Sequence, residues 1–65
     1  MDSKKITRQI SEDITLVLTA NQFYIYRDNE EEVWDLDDVI FETVISQMFK
    51  AAYESMRKEY IRTYA

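Results

Sequence analysis

The chain has no cysteine, histidine, proline or glycine. Without cysteine it forms no disulfide, which fits a reducing interior. Without cysteine or histidine a zinc site is not expected, because carboxylates alone seldom hold that ion. Glycine-rich phosphate loops are excluded outright. Acid–base chemistry near neutral pH lacks its usual imidazole, and thiol nucleophiles are absent. Ser3, Ser11, Ser46 and Ser55 stand in no recognisable nucleophile setting. Paired carboxylates are plentiful, but a catalytic pair needs a cleft that separates their pKa values, which so short a chain hardly encloses. The expectation is a protein that is not an enzyme and carries no cofactor. No apolar run approaches the ~20 residues of a membrane span, and no signal peptide precedes the first strand. A soluble, cytoplasmic protein that does not engage membranes is expected.

What is present is apolar and acidic. Hydrophobic residues make up 46% of the 65, with nine aromatics, too much for a disordered chain. One domain at most fits this length, and its surface-to-volume ratio makes it marginal. With disulfides and zinc set aside, oligomerisation or unusually good packing must stabilise it. The net charge of −5 is unevenly spread. Residues 1–11 carry +2, residues 12–42 carry −9 with Arg27 as their only base, and residues 43–65 carry +2. Eight of the thirteen carboxylates lie between Asp28 and Glu42. Such a field repels nucleic acid, so direct nucleic-acid binding is not expected, and it attracts basic protein surfaces.

The longest periodic stretch is C-terminal. Residues 36–62 read as one amphipathic helix, capped by Asp35 or Asp37, with Asp37, Asp38 and Glu42 early and Lys50, Arg57, Lys58 and Arg62 late, as the helix dipole favours. Ile40, Phe41, Val44, Ile45, Met48, Phe49 and Ala52 cover about half its circumference. A second stripe, Phe49, Tyr53, Met56, Tyr60 and Tyr64, drifts towards the back and reads as core or dimer seam. A helix of that length spans ~39 Å and outruns a 65-residue globule, so a second copy is expected to cover its distal end through Phe49, Tyr53, Met56, Tyr60 and Tyr64.

Before the helix the pattern changes. In residues 1–12, Ile6 and Ile10 lie four apart with Asp2 or Ser3 as a cap, which reads as a short N-terminal helix or arm. Residues 13–35 read as a three-stranded antiparallel meander. Ile14, Leu16 and Leu18 alternate with Thr15, Val17 and Thr19, and Phe23 and Ile25 alternate with Tyr24 and Tyr26. Ala20-Asn21-Gln22 joins the two, with Asn21 supplying a left-handed conformation in place of glycine. The outer face, with Val17, Tyr24 and Tyr26, is not polar enough for a plainly solvent-facing sheet. Asp28-Asn29 reads as a second turn, followed by residues 31–35 as a third strand with Val33 opposed to Glu32 and Trp34. The fold class is therefore α+β, a single domain with the long helix packed on the apolar face of the sheet.

The acidic stretch admits two accounts. Asp35, Asp37 and Asp38 serve as helix caps, and Glu30, Glu31 and Glu32 protect a sheet edge from pairing with strangers. Alternatively the acids form a phosphate-like array, since alternate strand residues such as Glu30 and Glu32 stand ~7 Å apart. Val33 and Trp34 then form an apolar wedge inside the array that anchors a partner as interface aromatics do. Oxygen ligation of calcium or magnesium by Asp35, Asp37, Asp38 and Glu42 lacks the glycine and ligand spacing of a calcium loop, so no metal is expected.

The run Asp13-Ile-Thr-Leu-Val-Leu, then Gln22-Phe-Tyr-Ile-Tyr-Arg, then an acidic stretch and a helix resembles the small, acidic, dimeric phage proteins that inhibit uracil-DNA glycosylase by posing as DNA. The likeness spans residues 13–45, and the longer helix departs from that pattern. It implies a phage-encoded inhibitor, a homodimer in the host cytoplasm that occupies the basic nucleic-acid-binding surface of a host protein. The partner-binding residues it implies are Tyr24, Tyr26, Asp28, Glu30, Glu31, Glu32, Trp34, Asp35, Asp37, Asp38 and Glu42. The alternative is a structural or regulatory subunit, antitoxin- or adaptor-like, that docks through the long helix.

Overall fold

Alternation of apolar and polar residues sets the architecture. A computed structural model of the chain describes residues 4–37, Thr43, Ile45 and 47–64, with Met48 described by its backbone alone. Among these residues are four strands, β1 (Lys5–Gln9), β2 (Ile14–Thr19), β3 (Gln22–Arg27) and β4 (Glu30–Asp35), and the helix α1 (Gln47–Tyr64), with Thr43 also helical. The strands form a single antiparallel sheet in chain order. The register places Ile6 opposite Leu18, Leu18 opposite Phe23, and Phe23 opposite Trp34. Residues alternating with these by two line the same face, and the residues between them line the other.

Each tight connection solves its backbone problem without glycine. At Ala20-Asn21 the Thr19 hydroxyl accepts N–H bonds from Asn21 and Gln22 at 3.4 and 3.0 Å and donates to the Gln22 carbonyl at 3.2 Å. Asn21 does not take the left-handed conformation expected of it. Among the described residues that conformation belongs to Asp28, with φ 55°, in the Asp28-Asn29 turn between β3 and β4. Aspartate tolerates this region better than most residues do.

Three sequence expectations need correction. Residues 5–9 form strand β1, where a short helix was expected, so the sheet has four strands instead of three. Ile6 and Ile10 are four apart, a spacing shared by one helix face and one strand face, and β-branched Ile6 and Thr7 favour the strand. The helix does not start at residue 36 either. Leu36 and Asp37 form a turn in which the Leu36 N–H donates to the Asn21 carbonyl at 2.9 Å, extending the pairing of the strand ends. Thr43 is helical, Ile45 lies in a bend, and α1 begins at Gln47. The first turn of α1 has no acid, and Arg62 occupies its last turn. Residues 38–42, which carry Asp38, Ile40, Phe41 and Glu42, and residues 44 and 46 lie outside the described residues.

The core lies between α1 and one face of the sheet. Ile6, Leu16, Leu18, Phe23 and Ile25 meet Ile45, Phe49, Tyr53 and Met56, all buried, with Leu16, Phe23 and Met56 fully so. The Tyr53 ring stands edge-on to Phe23 at 5.3 Å, a favoured aromatic geometry. Tyr60 and Tyr64 pack half-buried against this cluster. The stripe expected to be a dimer seam is therefore the chain's own core face. At 18 residues α1 is ~27 Å long, matching the 29 Å extent of the molecule. Its distal end does not outrun the domain, and the geometric ground for a seam along the helix falls away.

Polar contacts latch the C-terminal half of α1 to β1. Arg8 donates to the Ser55 hydroxyl at 2.8 Å and to the Glu59 carboxylate at 2.6 Å, and the Tyr64 hydroxyl donates to the Lys5 carbonyl at 3.0 Å. Near the other end, the Arg27 guanidinium sits 5.5 Å above the Phe49 ring. Two substitutions on α1 separate core from surface. Met56→Ala should lower the unfolding free energy by about 2–5 kcal/mol in urea denaturation. Ile61→Ala, at a position 54% exposed, should change it by no more than about 0.5 kcal/mol.

Candidate functional site

Strand β4 is an edge strand, and α1 lies over β1 and β2 at the far side of the sheet. Among the described residues none covers the acidic stretch 28–37, which forms an exposed margin. Asp28 stands in the turn before β4 and Asp37 in the turn after it, both exposed. Along the strand the carboxylates divide between two faces. Glu30 and Glu32 share the helix-side face with Trp34, while Glu31 and Asp35 share the opposite face with Val33, Tyr24 and Tyr26. The expected array is continuous along the margin but wraps around its edge. Asp38 and Glu42 lie outside the described residues.

On the helix side, Glu32 is held at two points. One oxygen accepts from the Trp34 indole N–H and the other stands 4.0 Å from the Arg27 guanidinium. Ile25, Arg27, Glu30, Glu31 and Glu32 line an open notch of about 290 Å³. Trp34 packs half-buried against the core cluster, so its ring is fixed against the sheet.

On the opposite face a short relay runs across the strand ends. The Tyr24 hydroxyl donates to the Gln22 side-chain carbonyl at 2.6 Å, and the Gln22 amide donates to Asp35 at 3.2 Å. Tyr24 and Tyr26 stack with parallel rings 6.1 Å apart. Desolvation against its neighbours raises the Tyr26 pKa above 10.0, and donation to the Glu31 carboxylate, with that group's charge, raises it further. Among the described residues no three carboxylates are grouped to hold a metal ion, and no helix is long and apolar enough to cross a membrane.

Residues that the sequence pattern did not single out include Arg8 and Thr7. Arg8 has the parity of Ile6 on β1, and so reaches α1. Thr7 and Val33 lie at the two ends of a cross-strand row through Val17 and Tyr24 on the face away from the helix. Parity alone would have found Arg8 and Thr7, once β1 was read as a strand. No protein-family model matches the chain, and no curated protein or solved structure is similar enough to count as a match.

The raised Tyr26 pKa has a signed consequence. The neutral phenol is the form stabilised by folding, so its contribution is full below pH ~10 and is lost as pH rises through the folded-state value. In an ultraviolet titration the Tyr26 phenolate should appear later than the ordinary value. Glu31→Gln should bring that transition back towards it.

Proposed function

We propose that the chain is a small acidic protein–protein interaction module, of the phage-inhibitor type, whose β4 margin occupies the basic nucleic-acid-binding surface of a host protein. The observation that carries this reading is the placement of carboxylates on both faces of one exposed edge strand. A solvated strand needs only a few edge charges to prevent mispairing. Here Asp28, Glu30, Glu31, Glu32, Asp35 and Asp37 follow one another along a single margin. Alternate strand residues repeat at ~7 Å, close to the spacing of successive phosphates on one DNA strand. A partner groove built to grip a nucleic-acid backbone from two sides would meet acid on both. The notch beside Glu30 and Glu32 is large enough to receive one long basic side chain. Trp34 supplies an apolar anchor within the acidic array.

This is a binding role and requires no catalytic group or cofactor. The alternative of docking through the helix loses its main surface, since Phe49, Tyr53 and Met56 are buried against the chain's own sheet.

The test is a triple charge reversal, Glu30→Lys, Glu31→Lys and Glu32→Lys, at exposed positions where the fold should survive. The unmodified chain, immobilised, should retain nucleic-acid-binding proteins from a bacterial lysate and release them to added duplex DNA. Retention should fall about tenfold or more between about 50 and 200 mM salt, and the triple variant should retain none. Retention that survives the reversal, or ignores salt, would contradict the acidic-margin reading.

A further inference from the structure

The sheet has a second face, and nothing in the chain's described residues covers it. Its middle row runs Thr7, Val17, Tyr24, Val33 across all four strands. Val33 is 43% exposed and Tyr26, in the next row, 36% exposed. The charges on this face are confined to its two margins and are opposite in sign: Lys5 on β1, Asp35 and Glu31 on β4. An apolar stripe with polar flanks is the ordinary plan of a contact surface.

The geometry points to a second copy of this chain as the occupant, packed sheet against sheet about a twofold axis that runs along the strands. Such an axis lays β1 of one copy over β4 of the other, and keeps each cross-strand row over itself. Lys5 and Asp35 belong to the same row, through Thr19 and Gln22 at the β2–β3 connection. Lys5 of each copy therefore faces Asp35 of the other, twice over. In the next row but one, Gln9 faces Glu31 and Thr15 faces Tyr26. The central row brings Val17 against Tyr24 and Thr7 against Val33. A twofold axis across the strands does the opposite, placing β4 over β4 and Asp35 over Glu31, so like charges meet. Charge thus selects one of the two isologous packings.

The area is also informative. Four strands ~4.8 Å apart, β1 of five residues and the others of six, present a face of about 20 by 20 Å, and side-chain relief raises this to about 500–600 Å² per copy. Two such faces bury just over ~1,000 Å², the low end for a specific interface. The dimer is accordingly reversible, with dissociation in the micromolar range. It leaves the helix on the outside of each copy and the helix-side face of each β4, with Glu30 and Glu32, free at opposite sides of the particle, while Glu31 and Asp35 lie in the interface. A partner that grips both faces of β4 therefore competes with the second copy.

Sedimentation equilibrium at about 150 mM salt, over about 1–200 µM chain, tests it. The mass should climb from 7.9 kDa towards twice that value. Val33→Glu should hold the mass at the monomer value while circular dichroism keeps the unmodified spectrum. Lys5→Glu should weaken association by about tenfold, and Lys5→Glu combined with Asp35→Lys should restore it. A monomer throughout the range overturns the proposal. So does association unchanged by both Val33→Glu and Lys5→Glu, or a charge swap that fails to restore what Lys5→Glu removes.

Discussion

The structure depends on covering one face of a four-stranded sheet with the helix α1. Five sheet residues, Ile6, Leu16, Leu18, Phe23 and Ile25, present a continuous apolar surface, and Phe49, Tyr53 and Met56 of α1 close it. Each large side chain removed from water contributes ~1.5–3 kcal/mol, against a net stability of only a few kcal/mol for a domain this size. No disulfide or buried polar network shares that task among the described residues. The spacing of the core positions on α1, four and three from Phe49 through Tyr53 to Met56, keeps them on one face. The sheet therefore dictates which stripe of the helix is buried.

That constraint leaves two surfaces. Among the described residues, α1 lies towards β1 and β2 and leaves β4 exposed, and none of them covers the far face of the sheet. Charge follows the same division. Lys4, Lys5 and Arg8 lie on or beside β1, and the carboxylates gather along β4, so the sheet is polarised from edge to edge. Arg8 turns inward to bind Ser55 and Glu59, and Arg27 bridges the Phe49 ring and Glu32. The arginines thus connect helix to sheet at both ends of the core, while the acids are left to solvent or to a partner.

Much of this was legible in the alternation of Ile14-Thr15-Leu16-Val17-Leu18 and of Phe23-Tyr24-Ile25-Tyr26, which placed the core face, the outer face and both turns. Strand β1 was not, because Ile6 and Ile10 satisfy a helical and an extended period equally, and only pairing with β2 decides between them. The start of α1 was misplaced for a related reason. Asp35 and Asp37 look like caps in isolation, but the Leu36 N–H is already bound to Asn21 across the sheet. The acidic margin was visible as composition, yet its division into two faces appears only with the register of β3 and β4. Aromatic residues on α1 read equally well as core or as an intermolecular seam, since periodicity reports a buried face without naming what buries it.

The most direct test of the account is an isotope-filtered nuclear Overhauser experiment on mixed labelled and unlabelled chains. Contacts between the Tyr53 and Phe23 rings, 5.3 Å apart, and between Met56 and Leu16 or Leu18, should appear within single chains and vanish from the interchain spectrum. Finding them only between chains would mean that the helix covers a partner's sheet, and would contradict a core closed by one chain.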